Sequence, residues 1–551
     1  MGEQAYAVTI VGAGPTGLSL AIELGSRGIR CLLVERQDRV GYAPRAKTTN
    51  VRTRTHLRRW GIAHKLAAAS PFGIYYPSNV LFVTCLSGPL LAKIENASNC
   101  DPKRSPLYPE HGQWVPQYKL EQVLRDHVET FDSVDLSFST EMVASTQDSH
   151  AVTVQLRDRI TQVDRSVICG YLVGADGARS AVRDAIGATM NGEYGLSRNY
   201  NIVFRAPGLA QAHSHGAATM YWQTNPAAPS LIGPMDQNDV WFFMPTRLPQ
   251  GLNLTDAEAV DLIRTATGID LPYEILSRDE WVASSLIADH YRRGRILLAG
   301  DACHLHPPFG GYGMNMGVSD AVDLGWKIAA TLAGWGGPGL LESYESERRP
   351  IHAAVMAEAK INHASLSNDF SDPALDGQGK SAELLRETVR SRILKAKERE
   401  FHTLGTVLGS CYHGSPIVAA EAADVSPKDQ VGNAYRPSSA PGCLAPHLWM
   451  PDGRSLYDCF GRDFTLLMRP TADLAAVAEA RRQADVMGVG LQVRTLDVEE
   501  AAPLYPAPLT LVRPDQHVAW RGDIWPRGLW QKVAGWPADA FDPGAASDVG
   551  S

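Results

Sequence analysis

Residues 12–17 have the types and spacing that bind a diphosphate. They read Gly-Ala-Gly-Pro-Thr-Gly after an apolar run at 8–11, and a second apolar run at 31–34 ends at Glu35. The first two glycines allow a tight turn and close approach of phosphate, and the third lets a helix pack on the strand. The acid has the position of a ribose-binding carboxylate. We predict a dinucleotide site that contains Gly12, Gly14, Pro15, Thr16, Gly17 and Glu35.

A second glycine-rich segment, residues 300–315, could hold the other end of a long cofactor. Asp301 follows the apolar run 296–299, at the strand end where doubly wound sheets bind ligands. Its carboxylate can accept hydrogen bonds from a ribityl chain, and Gly311 and Gly313 let the loop pass close to a flat ring. Together the two segments predict FAD rather than a lone nicotinamide nucleotide.

Length and charge limit the possible partners. A chain of 551 residues is too long for one ordinary core, so we expect two or three domains. Net charge is −8, which gives no broad basic surface and predicts no nucleic-acid partner. No basic leader precedes the first strand pattern and no apolar run is long enough for a bilayer, so we predict no membrane partner and a cytoplasmic location.

Cysteine and histidine spacings give no sign of redox or metal chemistry. No two of the eight cysteines form a Cys-x-x-Cys pair, so we expect free thiols in a reducing cytosol. His304 and His306 would share one face of a strand, but no third ligand is near them in the sequence. We therefore predict no metal site.

Three motifs, in this order, resemble the class A, single-component FAD-dependent aromatic hydroxylases, the phenol monooxygenases. The first is the glycine segment with Glu35 and Arg36. The second is residues 174–180, Gly-Ala-Asp-Gly-Ala-Arg-Ser, and the third is residues 301–315. Shorter matches are Pro44-Arg45-Ala46, Gln117, and Tyr344 with the Glu-Arg-Arg-Pro run at 347–350.

The resemblance implies further roles around the cofactor. Glu35 and Arg36 would hold the adenosine ribose, and Arg45 and Gln117 the middle of FAD. Asp176 would serve both FAD and a briefly bound nicotinamide. The remaining residues of the implied FAD site, near the ribityl chain and the isoalloxazine ring, are Asp301, Gly311, Gly313, Met314 and Asn315.

The resemblance also implies a reaction. NADPH or NADH would reduce the flavin, O2 would form the flavin C4a-hydroperoxide, and a small aromatic substrate, a phenol, would be hydroxylated. One alternative is a polyketide-tailoring oxygenase that hydroxylates a multi-ring substrate or inserts oxygen by Baeyer–Villiger chemistry. Another is a flavin-binding protein without turnover.

Strand patterns near 200–245 resemble the sheet that covers the substrate in this family. Tyr221, Trp222 and Phe243 are suited to an aromatic site, although each could equally pack the sheet core because alternate residues face opposite sides. By resemblance, Pro307 would lie near the reacting edge of the flavin.

Lys47 occupies a position of special interest for the chemistry. Some phenol hydroxylases carry an aspartate two residues after the position of Arg45, where this chain has Lys47. A lysine there could lower the pKa of a phenol by its charge, or it could point to solvent. The catalytic base is not assigned from the sequence.

The predicted fold class is α/β. A Rossmann-like FAD-binding domain, 1–190 and 285–365 with inserted substrate-side strands near 75–115, would be interleaved with a mixed-sheet substrate domain at 191–284. A helical connector, 366–435, would lead to a thioredoxin-like α/β domain at 436–540 without Cys-x-x-Cys, which suggests a structural or homodimer role. The tail, 541–551, is expected to be disordered.

A solvated helix face is expected to carry Arg52, Arg54, Arg58 and Arg59.

Overall fold

The computed structural model describes residues 4–38, 46–246, 254–419, 430, 432, 434–538 and 540. Arg45 and the predicted tail, 541–551, lie outside these residues.

Strands and helices alternate through most of the chain. The strands are β1 Gln4–Val11, β2 Cys31–Val34, β3 Thr48–Thr49, β4 Val80–Val83, β5 Leu90–Ile94, β6 Gln113–Trp114, β7 Val134–Ser137, β8 Thr140–Gln147, β9 Val152–Asp158, β10 Asp164–Gly174, β11 Met190–Arg205, β12 Met220–Gln223, β13 Ser230–Asp236, β14 Val240–Pro245, β15 Glu274–Ala288, β16 Arg292–Arg293, β17 Ile296–Leu298, β18 His304–Leu305, β19 Phe464–Met468, β20 Leu491–Thr495, β21 Leu509–Val512 and β22 Val518–Gly522. The helices are α1 Pro15–Gly25, α2 Val51–Arg59, α3 Ala63–Ala69, α4 Gln117–Val128, α5 Ala181–Ile186, α6 Asp256–Thr267, α7 Tyr312–Leu332, α8 Pro338–His363, α9 Lys380–Phe401, α10 Leu404–Leu408, α11 Leu474–Met487, α12 Ala501–Leu504 and α13 Leu529–Val533.

The first sheet has the order β16-β17-β10-β1-β2-β7, and β8 and β9 join it through β10. β1 runs parallel to β2 and β10, and β10 runs parallel to β17. Residues 31–34 are all buried, as expected of a strand covered on both faces. The carboxyl ends of β1, β2, β10 and β17 therefore meet at one edge, and the predicted Rossmann-like fold is confirmed.

The second sheet, of order β18-β15-β11-β14-β13-β12-β4-β5, is mixed as predicted. Its one parallel pair joins β4 to β12, and its other pairs are antiparallel. One face packs against α6 through Tyr221, Phe243 and Ile263. The opposite face carries Trp222 and Phe242, together with apolar residues of α9 and of the loop before α7.

The C-terminal sheet, β20-β19-β21-β22, has the predicted thioredoxin-like order of a parallel β–α–β unit followed by antiparallel strands. Phe464 of this sheet packs against Trp326 of α7 and Trp335. Arg513, which follows β21, is fully buried and pairs with Glu347 of α8 and Asp323 of α7. The C-terminal domain is therefore joined to the first domain by both apolar packing and buried charge.

Arg52 and Arg54 of α2 are not on a solvated face, so that prediction is wrong for these two, whereas Arg58 and Arg59 are half-buried. Arg52 is buried and donates to the backbone oxygen of Asp515. Arg54 is also buried and pairs with Glu110 at 2.8 Å. Distant carboxylates and carbonyls compensate the buried charges, and a local helical pattern cannot show such partners.

The expectation of free thiols throughout also needs correction. Cys411 and Cys443 form a disulfide across 32 residues. The other six cysteines are free, and five of them are buried. The pairing was missed because proximity of these two segments arises only in the folded chain.

Candidate flavin and substrate site

The first glycine motif forms a turn that is packed on one side and open on the other. Gly12 has a φ of +105°, and a Cβ there would lie 2.3 Å from the carbonyl oxygen of Ala175. A Cβ on Gly17 would strike the Gly12 carbonyl, whereas a Cβ on Gly14 would meet nothing within 4 Å. Pro15 begins α1 and no side chain caps that helix. The open side and the helix start fit a phosphate group.

Glu35 lies at the end of β2, beside this turn. Its carboxylate accepts hydrogen bonds from the backbone N–H of Ala13 and of Gln37, both at 2.9 Å. These bonds fix the carboxylate at the sheet edge predicted to hold the ribose. Arg36, the next residue, is exposed.

Thr16 brings the two glycine motifs together. A Cβ on Gly300 would lie 2.6 Å from the hydroxyl of Thr16, and one on Gly317 would lie 2.2 Å from it. Glycine at both positions lets the turn after β17 and helix α7 close over the start of α1. Asp301 is exposed at this turn. The structure thus places the predicted pyrophosphate and ribityl residues side by side.

Asp320 is a buried carboxylate that binds the backbone of the turn that carries Asp301. It was not identified from the sequence. One of its oxygens accepts from Gly300 N–H at 3.0 Å and lies 2.8 Å from Nε2 of His304. The other accepts from Arg348 Nε at 2.8 Å and lies 2.9 Å from Nε2 of His352. Burial would raise the pKa of Asp320, but the charges of His352, Arg348 and His304 hold it well below its usual range. No local motif marks this residue because its partners are 16 to 32 residues away.

The Asp-Gly motif follows β10 at the same edge. Gly174 pairs with Val11 on one side and Leu298 on the other, so the motif lies between the two glycine segments. The carboxylate of Asp176 accepts from the hydroxyl of Ser180 at 2.5 Å and from the N–H of Val182 at 3.2 Å. Burial raises the pKa of Asp176. All three motifs therefore converge on one end of the sheet.

Asn315 ties residues 306–311, the loop between β18 and α7 (the flavin loop), to residues 46–50. Its side-chain nitrogen donates to Thr48 O at 3.0 Å and Gly311 O at 2.7 Å, and its oxygen accepts from Asn50 N–H at 3.0 Å. The Asn315 side chain thus fixes the loop through backbone contacts. Gly313 and Met314, half-buried in the first turn of α7, remain accessible to a cofactor.

Gln117 holds the same segment from the other side. Its side-chain oxygen accepts from Ala46 N–H at 3.2 Å, and its own N–H donates to Ala46 O at 2.9 Å. Two predicted cofactor residues, Gln117 and Asn315, therefore hold the backbone on either side of Lys47. Its Nζ is 4.1 Å from the centre of the Phe242 ring, and burial lowers the pKa of Lys47 to about 8.

The substrate sheet separates the predicted aromatic residues onto two faces. Tyr221 and Phe243 are 1% and 0% exposed in the core against α6, since both align with Ile232 across the strands. Trp222 faces the other way, with its ring 6.2 Å from that of Phe309 in the flavin loop. Pro307 is buried in the same loop. Tyr221 and Phe243 therefore face away from the loop that contains Phe309, whereas Trp222, itself 0% exposed, faces it together with Phe242 and Met244. The substrate roles stay predictions.

His304 lies near two possible metal ligands, of which Asp320 is distant in the sequence. Donor atoms of Cys303, His304 and Asp320 lie within 4.8 Å of one another. However, Asp320 already pairs with Arg348, and the Cys303 thiol donates to Gly300 O at 3.3 Å. A cationic guanidinium on the same carboxylate opposes a metal ion, so the absence of a metal site stays a prediction.

Comparisons with known proteins show which family the chain is similar to. A family model described as FAD binding domain matches residues 5–359, and one described as aromatic-ring hydroxylase, C-terminal, matches residues 438–540. Tetracenomycin B2 monooxygenase-dioxygenase of Streptomyces olivaceus is 32% identical, over 94% of this chain and 95% of that protein. The 4-methyl-5-nitrocatechol 5-monooxygenase of a Burkholderia species is 33% identical, over 93% of each. The rebeccamycin biosynthetic enzyme RebC with reduced flavin superposes with a TM-score of 0.88 at 32% identity, covering 98% of this chain and 100% of that one.

The fold and the three converging motifs define a flavoprotein monooxygenase. The chain belongs to the FAD-dependent aromatic-ring hydroxylases. FAD is its cofactor, and O2 and a reduced nicotinamide are its co-substrates. This class replaces the alternative of a flavin-binding protein without turnover. No helix within the described ranges is long and apolar enough to cross a membrane.

Proposed function

We propose that the enzyme hydroxylates a phenolic ring, with NADPH or NADH as reductant. The contact of Phe309 with Trp222 carries this proposal, because it sets an aromatic sheet face against the loop of the second flavin motif. A ring held on that face would lie next to the cofactor. A cytoplasmic location and a homodimer remain predictions.

The residues of the chain would bind, orient and exclude water around the reaction. Bound FAD supplies hydride acceptance and oxygen activation. The open edge at Gly14 and the carboxylates of Glu35 and Asp301 would hold the cofactor. The apolar face that contains Trp222 and Phe242 would hold the ring and keep water from it.

The test is NADH and NADPH oxidation by the FAD-loaded enzyme with simple phenols and catechols, with hydroxylated product measured by mass spectrometry. Several-fold stimulation with product is expected. A Trp222→Ala variant whose FAD content and circular dichroism match wild type should lose stimulation, whereas Leu384→Ala, at an exposed position on α9, should not. Oxidation that no phenol or catechol stimulates, or that gives only hydrogen peroxide, contradicts the proposal.

Oxygenation of a multi-ring substrate is the second candidate. Similarity to tetracenomycin B2 monooxygenase-dioxygenase over nearly the whole chain favours it. The same assay with naphthols and three- and four-ring phenols separates the two functions. Stimulation that rises with ring number supports the second candidate, and Baeyer–Villiger products would be seen as ring-opened or lactone species.

A further inference from the structure

We propose that Lys47 binds the phenolate oxygen of the aromatic substrate and thereby promotes loss of the phenol proton. This inference rests on the proposed phenol hydroxylation. It gives the enzyme the acid–base group that the sequence motifs leave unassigned.

The backbone around Lys47 is fixed on both sides. Gln117 exchanges two hydrogen bonds with Ala46, the N–H of Val115 donates to Lys47 O at 2.8 Å, and Asn315 donates to Thr48 O. Gln117 and Asn315 are both predicted cofactor residues. The Lys47 side chain therefore starts from a rigid segment at the cofactor and extends toward the substrate sheet.

The end of that side chain lies among aromatic rings. Its Nζ is over Phe242, whose ring centre is 6.3 Å from that of Trp114. Phe242 belongs to the same apolar cluster as Trp222 and Phe309. The ammonium group is thus at the junction of the flavin loop and the face proposed to hold the ring.

Comparison with two fully buried lysines shows what the half-buried Lys47 lacks. Lys327 pairs with Asp323 and Glu347, and Lys397 pairs with Glu400 at 2.7 Å. No carboxylate of the described chain lies within ion-pair distance of Lys47. A cation partly withdrawn from water gains from a partner, and an aromatic ring compensates only part of the cost of burial. An anionic ligand oxygen would supply the remainder.

The proton balance of the step is simple. The O–H bond of the phenol breaks and its electron pair stays on the oxygen. The proton goes to the neutral Lys47 amine, or to solvent when Lys47 is already protonated. Burial lowers the pKa of Lys47 to about 8, so both forms are present near neutral pH. The resulting phenolate raises the electron density of the ring carbons that react with electrophilic oxygen.

The experiment titrates a bound phenol whose ionisation changes its visible absorbance. 4-Nitrophenol, and a hydroxynaphthoquinone as a larger probe, are bound to the FAD-loaded enzyme and scanned from pH 4 to 10. A cation within about 4–6 Å should lower the pKa of the bound phenol by roughly 1–3 units. Lys47→Met should abolish that shift and Lys47→Arg should retain most of it. Lys93→Met, at an exposed lysine paired with Glu95, is the matched control and should behave as wild type.

Three outcomes overturn the proposal. They are an equal probe pKa in wild type and Lys47→Met, a wild type that prefers the neutral phenol, and a wild type that binds neither probe in either form. FAD content and circular dichroism check that each variant is folded. If the wild-type enzyme hydroxylates phenols but the probe pKa does not depend on Lys47, only this inference fails. If no phenol is hydroxylated yet the shift is present, phenolate binding stands and the proposed function fails.

Discussion

Replacing Asp320 by Asn should separate the stability of the protein from its hold on FAD. The carboxylate is fully buried and its two oxygens face Gly300 N–H, His304, Arg348 and His352. An Asn side chain has one oxygen and one NH2 group. Either orientation of the amide therefore points a donor at Arg348 or at the Gly300 N–H.

The magnitude follows from the uncompensated charge. Removing one member of a buried ion pair costs about 3–5 kcal/mol, and Arg348 would be left without its carboxylate. The amide oxygen should face the Arg348 cation, so the NH2 group would face Gly300 N–H. Gly300 N–H then loses its acceptor, and the turn that carries Asp301 should loosen. We expect the free energy of unfolding to fall by about that amount, and FAD to dissociate more readily even where the variant is folded.

Urea unfolding followed by tryptophan fluorescence measures the first effect, and ultrafiltration of FAD-loaded protein measures the second. Asp270→Asn is the control, because its carboxylate is 87% exposed and pairs with Arg264 at the surface. The control should change stability by less than about 0.5 kcal/mol. A loss below about 1 kcal/mol for Asp320→Asn, or unaltered FAD retention, would refute the reasoning.

Three further predictions concern the cofactor edge and Lys47. Gly14→Ala should fold, because its Cβ meets no protein atom within 4 Å, but it should bind FAD weakly, because that Cβ would occupy the open side of the turn. Gly12→Ala should not fold, because its Cβ would lie 2.3 Å from Ala175 O. Circular dichroism measures folding and flavin absorbance measures bound FAD. Glu35→Ala should also weaken FAD retention, since the carboxylate organises the turn at Ala13; unchanged flavin content after dialysis would count against the ribose assignment. Lys47→Met should stabilise the protein at pH 7. Burial lowers the pKa of Lys47 from 10.5 to about 8, so the folded state is penalised below pH 8 and the penalty fades as pH rises to 10.5. The upper limit of this stability penalty is about 3 kcal/mol. Urea unfolding of wild type and Lys47→Met at pH 7 and pH 10 measures it. A variant less stable than wild type at pH 7 would contradict the prediction.

Local patterns in the sequence located the strand ends that the fold brings to one edge of the sheet. Gly12, Glu35 and Asp301 each follow an apolar run, and the ends of parallel strands are brought together by the fold itself. Tyr221 and Phe243 show the limit of such reasoning. The sequence gives alternation along a strand, but which face meets α6 is decided by register and by an element elsewhere in the chain.

Long-range polar contacts were the part that sequence reasoning could not find. Asp320, the arginines of α2 and the Cys411–Cys443 pair all depend on partners distant along the chain. Their helical or loop context resembles that of surface residues. In the fold these polar residues are buried and need partners, and burial of a polar residue is a property of the whole fold.

The buried ion pairs of Arg513 with Glu347 and Asp323 make the C-terminal domain inseparable from the FAD-binding domain. A chain cut near residue 435 would lose Arg513 and leave Glu347 and Asp323 with Lys327 as their sole remaining cation among the described residues. It would also uncover Trp326 and Trp335. Chimeras that exchange this domain between homologues must therefore exchange the matching carboxylates of α7 and α8 with it. The boundary for such exchanges is therefore set by these ion pairs and not by the predicted start of the C-terminal domain at residue 436.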